Sequence, residues 1–208
     1  MLHFRIGLAA LALASVAGPA GAVCPGLDVL YADGFEQLRP TWAVPAGAVR
    51  AENGQLIISP ASGTYEWAAS SAALYDDIDM CVTVTTVLSV EPLDAVAGLV
   101  FWYDDVNNFY VFEVSPAGTA SVWRRQRGKW LEQVGWREVD TANVGDGASN
   151  ELRVTTVADR ATFYLNGSEF ETLAGSPPER GQQIGLLAVS PEQGAARFAF
   201  DDLKVTAP

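Results

Sequence analysis

Histidine is almost missing from this chain: the one imidazole is His3, and it falls in an N-terminal stretch that reads as an export signal. Arg5 supplies a positive start, Ile6–Val16 an apolar centre and Ala20-Gly21-Ala22 the small residues of a cleavage site. Cleavage after Ala22 leaves residues 23–208 as the expected domain, with no histidine at all. That excludes Ser-His-Asp and Cys-His nucleophiles and imidazole-based zinc sites. It also removes the side chain that ordinarily titrates near neutral pH. Long apolar runs are scarce as well. The N-terminal run is too short and alanine-rich for a membrane span and no second candidate follows, so membrane insertion is not expected. Val23 occupies the place where a lipoprotein signal needs a small residue, and twin arginines are absent. The expected location is therefore periplasmic or secreted, by the general route.

Positive charge is in short supply too. The chain has 13 Lys and Arg against 25 Asp and Glu, and cleavage removes Arg5 and no acid, which takes the net charge from −12 to −13. Such a chain repels phosphate backbones and anionic lipid, so nucleic acid is excluded as a partner. Cysteine occurs twice, as Cys24 and Cys81. In an exported chain such a pair forms a disulfide by default; two unpaired thiols are the alternative. No helical periodicity appears after residue 22, and no linker or repeat divides the chain.

What is present is strand. The stretch Gly98–Trp123 holds two β-rich runs, Leu99–Tyr103 and Phe109–Ser115, about the polar pentapeptide Asp104–Asn108. Pro116-Ala117-Gly118 turns the chain into a third run, Thr119–Gln126, and Arg127-Gly128 into a fourth that begins at Lys129. An antiparallel meander of this kind needs a second sheet to cover it. Asn53-Gly54 and Asn166-Gly167 each predict a type I′ hairpin, and Trp136–Gly147 reads as an irregular connection. Ile78–Thr86 alternates cleanly, with Ile78, Met80, Val82 and Val84 facing the core. That parity turns Cys81 outward, where an N-terminal segment carrying Cys24 can lie over it. In the last strand Leu203 and Val205 share a face with Phe198 and Phe200 only if Asp201-Asp202 form a bulge. The expectation is one all-β domain of about a dozen short strands.

The order of several motifs resembles a known superfamily. Asp33-Gly-Phe35, Asn53-Gly-Gln-Leu-Ile-Ile58, Ala97-Gly-Leu-Val-Phe101, Asn108-Phe-Tyr-Val-Phe112, Thr162-Phe-Tyr-Leu-Asn-Gly167 and Phe200-Asp-Asp-Leu-Lys-Val205 are similar to the concanavalin A-like lectin/glucanase superfamily. Its laminin-G-like and keto-disaccharide-hydrolase-like bacterial domains give the nearest likeness. The resemblance implies a two-sheet antiparallel jelly-roll sandwich with a concave face for carbohydrate. The glucanases' Glu-x-Asp-x-x-Glu strand is missing; Glu91-Pro-Leu-Asp94 and Asp76-Asp-Ile-Asp79 have the wrong spacing. Glu113 stands alone on its strand, although glycoside hydrolysis needs two carboxyls.

The expected function is thus an exported, non-catalytic carbohydrate-binding sandwich that stacks sugars on aromatic rings. Alternatives are a glycoside-acting hydrolase and a structural or protein-interaction module of the cell envelope. Trp102, Trp123 and Tyr110, from the aromatic-rich span 102–136, form the expected stacking platform, with Glu113 and Arg124 as hydrogen-bonding groups. The same rings could instead pack the two sheets together. Asp33 and Asp202, on the first and last strands, suit a structural calcium ion, or else accept backbone hydrogen bonds at a turn and a bulge. No other cofactor is expected, and a monomer is.

Overall fold

The computed structural model describes residues 24–44, 47–90 and 94–208. The expected signal peptide, residues 1–22, lies outside the described residues. Among the described residues fifteen strands follow in chain order: β1 Val29–Asp33, β2 Trp42–Ala43, β3 Val49–Glu52, β4 Gln55–Ile58, β5 Tyr65–Tyr75, β6 Ile78–Leu88, β7 Val96–Asp105 and β8 Asn108–Val114. Next come β9 Thr119–Gln126, β10 Lys129–Glu138, β11 Ser149–Val157, β12 Arg160–Leu165, β13 Ser168–Ala174, β14 Gln182–Val189 and β15 Arg197–Thr206. No helix occurs among the described residues, and so none is long and apolar enough to cross a membrane.

The strands pair antiparallel in two sheets. The tethered sheet has the order β13-β12-β11-β6-β15-β4-β3, with β1 added along β15. The meander sheet has the order β10-β9-β8-β7-β14-β5-β2. Their inner faces form one core, in which Phe163 of β12 packs its ring 5.4 Å from Phe101 of β7 and 5.3 Å from Phe112 of β8. The expected all-β sandwich is therefore the observed one.

Local sequence explains the corners. Asn53 and Gly54 adopt φ of 54° and 74°, and Asn166 and Gly167 adopt 51° and 79°, the left-handed pairs that a type I′ turn requires. The polar pentapeptide narrows to a two-residue turn between Asp105 and Asn108, whose pairing closes the hairpin. The Asp105 carboxylate accepts from the Asn107 backbone N–H at 2.6 Å. Asp202 has φ 53° and the β15 register slips between Asp201 and Lys204, so the expected bulge is present. Phe198, Phe200, Leu203 and Val205 accordingly share the core.

Two boundaries differ from expectation. The connection expected from Trp136 onward begins later, because β10 continues to Glu138 through two register shifts against β9. The dozen strands become fifteen because short edge pieces such as β2 carry too few residues to show a period. Cys24 and Cys81 are bridged, with Cα atoms 5.6 Å apart. The bridge lies on the outward side of β6, where alternation places Cys81, and it ties the N-terminal segment to the tethered sheet.

Candidate functional site

The outer faces of the two sheets differ in chemistry. On the tethered sheet Arg153 grips Asp79 through two bonds of 2.7 Å and stacks on Tyr164, while Thr162 and Thr172 share a hydrogen bond. The meander sheet is aromatic outside. Tyr65 and Trp67 of β5 stack at 5.8 Å, Trp130 of β10 meets Tyr65 and Phe109 edge-on, and Tyr103 stacks on Phe109. This second apolar cluster, with Val100, Val111 and Leu187 beneath it, is separate from the core.

A cleft of about 370 Å³ opens in that face. Tyr65, Trp123, Trp130 and Trp136 supply its rings, Val96 and Val189 its apolar floor, and Glu113 and Asp94 its acids. Glu113 belongs to β8, between Gly98 of β7 and Ser121 of β9 in exact register. Gly98 is what makes room: a Cβ there would sit 2.6 Å from a Val111 methyl, 2.7 Å from the Phe112 carbonyl oxygen and 3.1 Å from Glu113 Cγ. Ser121 hydrogen-bonds the Glu113 side chain and also accepts from Trp123 Nε1 at 3.1 Å, so one hydroxyl orients both groups.

Glu113 is 6% exposed and none of the ion pairs among the described residues involves it. Burial pushes its carboxyl up from about 4.5 to about 8, and the Ser121 hydrogen bond only partly opposes this. At neutral pH the group therefore holds its proton and can donate as well as accept. Arg125 of β9 brings a positive charge to this face. It donates to the Tyr65 hydroxyl at 2.7 Å and lies over the Tyr65 and Trp130 rings, buttressing the cleft wall.

The expected site residues divide. Trp123 and Glu113 line the cleft together. Trp102 and Tyr110 do not: both are 2% exposed and belong to the core. The cause is a bulge. Trp102 adopts φ 46°, and the ladders of β7 with both β8 and β14 shift register around it, so Phe101 and Trp102 both turn inward. Simple alternation would have sent Trp102 outward. The Trp102 ring stands edge-on to Tyr110 at 5.1 Å, and the Tyr110 hydroxyl accepts from Ser176 N–H. Arg124 faces the same side as Tyr110, 4.9 Å over its ring, and lines a different cavity of about 250 Å³. Trp102 and Tyr110 line that second cavity with Arg124, so the three are brought together there and not in the aromatic cleft.

Asp33 and Asp202 approach one another at the β1–β15 pairing, but they do not fit a calcium site. Both Asp33 oxygens are engaged: Oδ1 accepts from Phe35 N–H, and Oδ2 accepts from the Tyr31 hydroxyl and Trp42 Nε1. Arg39 adds a positive charge 3.4 Å from Oδ2. No group of three or more side chains suited to a metal occurs among the described residues.

Tyr65, Trp130, Trp136 and Asp94 enter the site beyond the expected set. The two tryptophans were visible as part of the aromatic-rich span. Tyr65 and Trp67 gave a signal only in their shared parity on an otherwise bland Ala/Ser strand, since β5 joins this sheet from far away in sequence.

The fold is the concanavalin A-like jelly roll of lectins and glucanases. The structure is similar to carbohydrate-binding module CBM66 from Bacillus subtilis, with TM-score 0.64, 16% identity, and 80% of this chain and 96% of that one covered. It is also similar to the carbohydrate recognition domain of Emp47p, with TM-score 0.66, 14% identity and coverage of 90% and 99%. The Bacillus licheniformis β-glucanase gives TM-score 0.61, 10% identity and coverage of 92% and 100%. No family model matches the sequence, and no curated protein matches it.

Proposed function

We propose that the protein is an exported glycan-binding domain whose site is the aromatic cleft on the outer face of the meander sheet. One observation carries this reading: Trp123, Trp130, Trp136 and Tyr65 surround a cleft with a buried carboxyl in it. Flat rings desolvate the apolar faces of sugars at little entropic cost, and a few polar groups then fix orientation. Support comes from the fold it shares with a carbohydrate-binding module and a carbohydrate recognition domain. The disulfide agrees with export, since such bridges persist in oxidising compartments.

Binding by stacking gives affinities in the millimolar to micromolar range, about −4 to −8 kcal/mol. A glycan array on residues 23–208, followed by calorimetry on any hit, tests the reading. Trp123→Ala should weaken binding about tenfold, roughly 1.4 kcal/mol, with little change in melting temperature. Trp102→Ala should do the reverse: it empties the core, costs about 3–5 kcal/mol of stability, and leaves binding near wild type below its melting point. Full affinity in Trp123→Ala would place the ligand elsewhere.

A second reading, glycoside hydrolysis, is favoured by the proton on Glu113 and by Asp94 in the same cleft. Hydrolysis pairs a protonated acid with a second carboxylate about 5–9.5 Å away. Turnover of the bound glycan that disappears in Glu113→Gln would establish it over simple binding.

A further inference from the structure

The cleft's charge pattern says which glycans it would prefer. Its lining contains two acids, Glu113 and Asp94, and no base. Glu113 is buried and takes part in none of the ion pairs among the described residues; its side chain hydrogen-bonds the neutral Ser121. Around it stand four rings whose faces carry negative charge density. Charged groups on the outer face beyond the cleft lining include Arg125 of β9, committed to Tyr65, Glu132 of β10, opposite Trp123, and Asp105 of β7, which acts on Tyr103. The strands β7, β14 and β5 present apolar, glycine and aromatic positions toward this part of the face.

A buried carboxyl inside an aromatic enclosure becomes half of an ion pair when a cation enters and takes the place of its proton. Resting on the glycan-binding reading above, we propose that the cleft selects amine-bearing sugars, with the ligand's ammonium completing the pair with Glu113 among the rings of Trp123, Trp130 and Trp136. A neutral sugar offers this cleft neutral hydrogen bonds and stacking. An unacetylated amino sugar offers the same stacking, a charge-assisted hydrogen bond, and a cation for the ring faces. The proton balance follows from the free state. Glu113 holds its proton at neutral pH, because burial pushes it to about 8. Pairing with an ammonium favours the carboxylate, so binding expels that proton to solvent. Neutral sugars have no such effect.

The test uses three oligomers of matched length on the protein after signal removal: glucosamine, N-acetylglucosamine and glucose, at about pH 5, where sugar amines, less basic than lysine, are protonated and Glu113 still holds its proton. The glucosamine oligomer should bind at least tenfold more tightly than the other two. Calorimetry in buffers of different ionisation enthalpy should show release of close to one proton per site for that ligand and none for the others. Glu113→Gln should erase both the preference and the proton release, so that the glucosamine oligomer binds no more tightly than the two neutral ones. Should this variant fold poorly, the wild-type proton count decides alone. Binding of the neutral oligomers as tightly as the amine, or a preference without proton release, overturns the inference and leaves glycan binding standing. Failure of all three, together with an empty glycan array, removes both.

Discussion

Glu113 connects the chemistry of the cleft to the stability of the domain. Its carboxyl is raised from about 4.5 to about 8 in the folded protein, so between those values the unfolded chain has released a proton that the native chain retains. Stability rises with pH only where the unfolded state binds more protons; here it binds fewer, so stability falls. The expected profile is full stability from this group below about pH 4.5, then a decline approaching 1.4 kcal/mol per pH unit that levels off above pH 8. Glu113→Gln keeps the shape and a donor but cannot ionise. Urea unfolding of the two proteins across that window should show curves that diverge with rising pH, the variant being the more stable at pH 8. Parallel curves would mean that water reaches the carboxyl and the burial argument fails. The same residue also marks a limit of reading from sequence. Its isolation on an apolar strand was plain, but its burial depends on Gly98 and Ser121, which only strand register brings to its sides.

Among the elements, β7 shows most clearly what alternation can and cannot tell. Period-two reading placed the faces of β6 correctly, and it demanded the β15 bulge because hydrophobic parity visibly broke at Asp201-Asp202. In β7 no break is visible. Phe101, Trp102 and Tyr103 are all aromatic, so any phase looks acceptable, and the bulge that turns Trp102 inward leaves no trace in composition. What fixes it is remote. Gln182 accepts from Trp102 N–H at 2.8 Å and donates to Thr156 Oγ1 and to the Asp76 carbonyl, each at 2.9 Å. It thereby joins β7 in one sheet to β11 in the other, and it is 1% exposed. Gln182→Ala should strand a buried N–H and cost about 1–3 kcal/mol for that group. Hydrogen exchange should reveal it directly, as faster exchange of the Trp102 amide relative to that of Leu99. Unchanged protection would show that the bulge holds itself.

For the whole molecule, the disulfide and the cleft belong to different sheets. The bridge closes a loop with a sequence separation of 57, for which the chain-entropy model gives about 4 kcal/mol. Reduction, verified by thiol titration, should lower the melting temperature yet leave glycan affinity intact in protein that remains folded; an unmoved melting temperature would show that the tether adds nothing. The two-sheet architecture and the cysteine pairing were legible because the first rests on local period and the second on strand parity and the expectation of export. The cleft was legible only in part, because its walls join Trp123 of the meander to Tyr65 and Val189, positions that two distant strands bring beside it. The arrangement also has a practical side. β15, the last strand, lies in the sheet without the cleft, next to β1. A molecule captured on a sensor by its C-terminus would hang by one sheet and offer the other to solution, like a hand held by the back with its palm open.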